Sequence, residues 1–191
     1  MARPRAFDTE LAVERAMDLF WRQGFNATPL PQLTSRLGIG SGSLYAAFGS
    51  KEALYAQALK RYCDSLVAAL AQETESASDI RSTLRELLLG MATADVADPE
   101  RGCLLVNAAT ERSAHDDTVR QVRSAMAAVE SVLTGTLERA RSRGELGSGH
   151  SPVELSRFLT TFIQGLHVMG TARADRDFLE AAVSGALKVL D

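Results

Sequence analysis

Residues 38–54 read GIGSGSLYAAFGSKEAL. Gly38, Gly40 and Gly42 alternate with Ile39, Ser41 and Ser43, a composition that fits a flexible spacer. Leu44, Tyr45, two alanines, Phe48 and the charged run Ser50-Lys51-Glu52 then read as helix. Upstream, Thr28 is a good helix cap placed before Pro29, and Gly38 stops the helix that follows. The result is two short helices, 28–37 and 41–48, joined by the tight turn Gly38-Ile39-Gly40, which is the helix-turn-helix pattern. Leu33 and Leu37 on the first face Ile39 and Leu44 on the second. Eight residues do not hold a helix alone. The pair must lean on a preceding helix, 8–23, and on the helix that Ser50 opens, through a small core of Phe20, Phe25 and Phe48.

The rest of the chain continues in the same register. Apolar residues recur at steps of three and four between short Gly, Pro, Ser or Asp clusters, and no segment alternates as a strand does. Tyr55, Leu59, Tyr62, Leu66 and Leu70 stripe a long fourth helix. Loops are expected at 72–79 and 95–102, around a fifth helix carrying Leu84, Leu88 and Met91. The segment GCLLVNAATE opens a sixth helix. A long seventh carries Val122, Met126, Val129 and Leu133, and an eighth and ninth follow the turn GELGSGHSP. The expected fold class is all-α, with nine helices.

Composition narrows the functions open to such a chain. It has 191 residues, 46% of them hydrophobic and 24% charged, which suits a globular protein with a real core. No apolar run reaches the ~20 residues of a membrane helix. The start, MARPRAFDTE, lacks the apolar stretch of a signal peptide, so no membrane partner and a cytoplasmic location are expected. Two cysteines cannot build a disulfide scaffold. His115, His150 and His167 lack metal-ligand spacing. No glycine-rich phosphate loop follows a strand, and no nucleophile motif is present. No metal, no cofactor and no enzymatic activity are expected. The net charge of −3 divides unevenly: residues 1–51 carry +2 and the remainder −5, so an anionic partner is admissible at one end.

That end has the chemistry to read DNA. The first turn of helix 41–48 can enter a major groove. Ser41, Gly42 and Ser43 are small enough for close approach, and the serines can hydrogen-bond. Tyr45, one turn on, can reach a phosphate. Thr28 and Lys51 stand at helix N-termini, where phosphates bind. Arg36 reads equally as a phosphate contact or as a solvated charge. On composition alone, the glycines and serines could also be merely a turn.

The segment GFNATPLPQLTSRLGIGSGSLYAAFGSKEALYAQAL, 24–59, resembles the DNA-binding region of the TetR family of transcriptional regulators. Gly24-Phe25, Ala27-Thr28, Leu37-Gly38-Ile39, Gly42-Ser43-Leu44-Tyr45, Phe48 and Ser50 to Leu54 carry the likeness. RGCLLVNAATE, 101–111, resembles a segment in the ligand-binding domains of some members. The resemblance implies a helix-turn-helix DNA-binding domain at 1–50 and a ligand-binding and dimerisation domain at 51–191. It implies a homodimeric repressor that binds a palindromic double-stranded operator and is released by a small-molecule effector. Gly40 and Ser41 stand where members often carry Ser and Lys, and Ala46 and Ala47 where bulkier residues are frequent. Base readout is therefore expected to be thin, and Arg3 and Arg5 read either as a compensating N-terminal arm or as a disordered start.

Helices eight and nine are expected to form the dimer interface, through Phe158, Phe162, Leu166 and Met169 on one and Phe178, Ala182 and Ala186 on the other. An intrachain core is the alternative for all of them. The effector pocket is expected among helices four to seven. Tyr62, Leu66, Leu88 and Met91 are candidate lining, with Cys103, Leu104, Asn107, Val122 and Met126, and each could instead be plain core. The absence of Arg or Lys from the apolar stripes favours an apolar or aromatic effector. Cys103 follows Arg101 near a helix N-terminus, which would favour thiolate. A thiol-based, electrophile- or redox-responsive repressor is thus one alternative, beside a structural cysteine. A helical sensor or scaffold that does not regulate transcription is another.

Overall fold

The computed structural model describes residues 7–75, 78–98, 101–147 and 149–191. Among these there are nine α-helices, a closing 3-10 turn and no strand: α1 Thr9–Gln23, α2 Leu30–Leu37, α3 Ser41–Phe48, α4 Lys51–Glu75, α5 Ile80–Ala97, α6 Leu104–Glu111, α7 Asp116–Ser142, α8 Pro152–Thr171 and α9 Arg176–Ala186. No described helix is long and apolar enough to cross a membrane. Arg3 and Arg5 lie outside the described residues.

Local chemistry sets most boundaries. The Asp8 carboxylate accepts the N–H groups of Glu10 and Leu11 and starts α1. Asp79, Ser151 and Asp175 cap α5, α8 and α9 in the same way. Gly38, at φ 70° and ψ 29°, supplies the left-handed residue that ends α2 and turns the chain toward α3.

Three expectations fail at helix ends. Helix α2 begins at Leu30 with Pro29 as its cap. Thr28 is fully buried, and its hydroxyl donates to Gly24 O at 2.6 Å. Helix α4 continues through the polar stretch to Glu75, because tertiary contacts hold its last turn: Thr74 is buried and Arg139 donates to its carbonyl at 3.3 Å. Helix α5 runs on to Ala97 while packed along α8 and α9. Polar composition alone cannot report such support.

The core has two parts. One joins α1, α2 and α3 to the first half of α4, to α6 and to the start of α7, around Phe20, Leu33, Leu44, Leu54, Tyr55 and Leu104. The other joins the end of α4 to α5, most of α7, α8 and α9, around Leu84, Leu88, Leu133 and Leu159. Half-buried Leu66 on α4 borders both. The first core therefore extends past residue 50 into α4.

Candidate nucleic-acid interface and effector cavity

Helix α3 has two faces with different duties. Leu44 and Phe48 are buried against the head, whereas Ser41, Gly42, Ser43, Tyr45, Ala46 and Ala47 are exposed. No side chain caps its N-terminus, where Gly40 stands. The first backbone N–H groups are thus left for an outside acceptor, and the helix dipole favours an anion there. Tyr45 leaves 48% of its surface open. Arg36 is exposed on α2 and its guanidinium reaches Asp18 at 3.1 Å.

Two phosphate candidates are spoken for inside the chain. Buried Thr28 faces Gly24, away from solvent. The Lys51 ammonium donates to Phe25 O at 2.6 Å and sits 4.1 Å from the centre of the Phe25 ring. Burial holds its pKa below the ordinary lysine value, outweighing the carboxylates of Glu52 and Glu111. Both were expected at phosphates on helix-terminal position alone. The turn before α2 instead folds inward and uses them as braces.

That turn is also gripped from α6, by residues that local sequence reading did not single out. The Glu111 carboxylate accepts the N–H groups of Phe25 at 2.8 Å and Asn26 at 2.6 Å. A side chain at Gly24, whose φ is +78°, would have its Cβ 2.8 Å from that carboxylate. The positive φ favours glycine there, and a Cβ would push the Glu111 carboxylate off its hydrogen bonds. Arg112 is 6% exposed and lies 3.9 Å over the Phe25 ring. A second grip sits one turn earlier. Trp21 Nε1 donates to Gly102 O at 2.8 Å, and Arg101 covers the Trp21 ring at 4.0 Å while reaching Asp18 at 3.3 Å.

Arg101 is therefore engaged by Trp21 and Asp18, which fits the structural-cysteine alternative for Cys103 better than an activated thiol. Cys103 is 2% exposed and its sulfur accepts the Tyr62 hydroxyl at 3.4 Å. Burial pushes the Tyr62 hydroxyl far up. It also pushes the Cys63 thiol up to about 12.

A cavity of about 730 Å³ opens between α4 and α5 and reaches down to α7 and α8. Of the expected lining, Leu66, Met91 and Cys103 reach it. Tyr62, Leu88, Leu104 and Val122 are buried in the core, and Asn107 and Met126 are half-buried away from the cavity. Periodicity assigned these residues a buried face but could not say which face borders space. Helix α8, expected at the dimer interface or in the intrachain core, contributes Ile163, Gln164 and His167. Two polar residues in an otherwise apolar stretch were the available signal.

The outer surface of α8 and α9 is apolar. Phe158, Val168, Met169 and Phe178 are exposed, and Phe158 stacks on half-buried Phe162 with ring centres 6.0 Å apart. Ala182 is half-buried beside them. Leu166 and Ala186, expected at the interface, are 3% and 6% exposed and pack within their own chain, because their helix positions point at α5 and α7 rather than outward.

A family model described as "Bacterial regulatory proteins, tetR family" matches residues 12–58, and one described as "Tetracyclin repressor-like, C-terminal domain" matches residues 79–186. The chain belongs to the TetR family. Similar proteins include the HTH-type transcriptional regulator YezE of Bacillus subtilis, 32% identical with 100% of both chains covered. The HTH-type transcriptional repressor ComR of Escherichia coli is 30% identical over 98% of this chain and 90% of that protein. Among solved structures, a cysteine mutant of the TetR family regulator CifR in complex with 26-bp double-strand operator DNA has a TM-score of 0.84. It is 33% identical, and the match covers 100% of both chains. As a TetR regulator, the protein carries the helix-turn-helix in α2–α3 on the first family match and the apolar face of α8 and α9 on the second, while the cavity joins the second to α4.

Proposed function

We propose that this TetR regulator is a homodimeric repressor that holds a palindromic operator through α3 and releases it when a small apolar or aromatic molecule fills the α4–α5 cavity. The exposed, uncapped face of α3 carries the reading, with Ser41, Gly42, Ser43 and Tyr45 toward the bases and nearest phosphates and Arg36 at the flank. ComR, named a repressor, and CifR, solved on operator DNA, support the same reading. Residues 1–50 serve DNA, and 51–191 serve effector and partner. The protein works in the cytoplasm by binding alone, without catalysis.

The cavity has two routes to the head. Leu66 lies on its wall and on α4, which runs into the head core through Leu54, Tyr55 and Leu59. Cys103 also lines it, directly before α6, whose far end holds the turn ahead of α2 through Glu111. A guest that displaces either changes the spacing of the two heads in a dimer. A ~100-fold difference in operator affinity needs about 2.7 kcal/mol, within the usual range of coupling energies.

Selection of bound fragments from genomic DNA with the purified protein, followed by footprinting, tests this reading. The expected footprint is palindromic and is lost in Ser43→Ala or Tyr45→Ala for that sequence above others. Arg36→Ala should weaken all sequences alike and flatten the salt dependence. Enrichment of no sequence, or a footprint indifferent to all three changes, rejects it.

A further inference from the structure

We infer that the occupant of the α4–α5 cavity is a cationic amphiphile, an apolar body bearing a protonated amine or a fixed positive charge. This builds on the reading of that cavity as the effector site. Among the described residues, one buried polar side-chain atom of the cavity lining lacks a partner, and it is an acceptor. Gln164 Oε1 is buried and has no hydrogen-bond partner, while its Nε2 donates to Thr160 O at 3.4 Å. A buried acceptor left empty is costly, and an N–H donor on a guest removes that cost.

The cavity wall is charged in one sense. Glu73 from α4 and Glu86 from α5 line it, and neither has an ion-pair partner among the described residues. Both are exposed, whereas several other carboxylates are held by arginines, Asp18 by Arg22, Arg36 and Arg101, Glu10 and Glu14 by Arg61, and Glu130 by Arg157. Asp79 also lines the cavity, but its oxygens are used in capping α5. Among the described residues no Lys or Arg lines the cavity, and His167, which does, has an interaction of its own.

Apolar chemistry completes the specification. Leu66, Leu70, Leu87, Met91, Val129 and Ile163 line the same space. A bare inorganic cation would leave these walls unfilled, and an anion would meet Glu73 and Glu86. A volume of about 730 Å³ suits a drug-sized guest.

Titration calorimetry of the full-length protein with naphthylethylamine, naphthylethanol and naphthylacetate tests this with one apolar body and three charges. The amine is expected to bind about tenfold or more tighter than the alcohol, with the carboxylate weakest and the amine's advantage shrinking in high salt. The double variant Glu73→Gln, Glu86→Gln should bring the amine's affinity down toward the alcohol's. Equal binding of amine and alcohol, tighter binding of the carboxylate, or an amine advantage that survives the double variant overturns the assignment. Gly90→Phe separates this from the parent reading. Gly90 lines the cavity, and a Cβ there meets nothing within 4 Å, so the ring fills the space without a clash at its root. Amine binding undiminished in Gly90→Phe, or no binding of any probe to the native protein, rejects the cavity itself as the effector site. Probe binding lost in Gly90→Phe but blind to charge in the native protein rejects only the cation.

Discussion

Single residues in this protein often serve the fold or the DNA, and substitutions can tell which. Gly42 is exposed in the first turn of α3, and a Cβ there meets no neighbour within 4 Å. Gly42→Ala should therefore raise thermal stability by up to about 1 kcal/mol through helix propensity, while the added methyl obstructs approach to the groove. Melting and operator affinity should move in opposite directions; a fall in both would show that the glycine serves the fold. Glu111→Gln keeps the shape but loses the charge in the hydrogen bonds to Phe25 and Asn26. It should cost about 1–3 kcal/mol in urea unfolding and weaken the response of operator binding to effector. Cys63 is buried, with its thiol pushed up to about 12. Iodoacetamide near neutral pH should leave it unmodified in the native protein and label it once unfolded. Rapid native labelling, read by peptide mass, would contradict its burial.

At the scale of elements, the start of α5 depends on two carboxylates. Asp79 caps it, and Glu145, from the turn after α7, accepts Ile80 N–H at 2.6 Å while bonded to Arg143. The Arg143 hydrogen bond and the Ile80 N–H hold Glu145 below its ordinary 4.5, against a smaller opposing effect of desolvation. A depressed pKa stabilises the fold above the unfolded value and is lost as pH falls through the folded one. Urea stability should thus decline below about pH 4.5, and Glu145→Gln should be less stable near neutrality and decline less. An unchanged acid limb in Glu145→Gln would count against this role. The same element shows what sequence could and could not say. The head was legible because caps, glycines and apolar spacing act within a few residues, as at Asp8, Gly38 and Leu44. The ends of α4 and α5 were not, since Arg139 supports Thr74 from 65 residues away. Nor was the loss of Thr28 and Lys51 as phosphate contacts, since Lys51 is drawn to Phe25 from 26 residues away and Glu111 fixes that Phe25 turn from 86 residues away. The cavity lining failed for a similar reason: helical period marks an inward face but not the gap between two such faces.

For the whole molecule, the apolar outer surface of α8 and α9 is the feature that a single chain leaves unsatisfied. Exposed Phe158 and Phe178 on neighbouring helices form a patch of the kind that monomers rarely keep. Phe158→Glu should convert a dimer to a monomer in analytical ultracentrifugation with little change in the melting of the monomer. Operator affinity should collapse with it, because one head makes too few contacts. A dimer that survives Phe158→Glu together with Phe178→Glu would place the interface elsewhere.

The bare outer face of α3 also has a consequence for change over time. Ala46, Ala47 and Gly42 are exposed and Leu44 and Phe48 alone anchor the helix, so new side chains at 42, 46 and 47 cost the fold little. Randomising those three positions and selecting on altered operators should yield folded regulators with new addresses. The protein is a reading frame with its letters left blank.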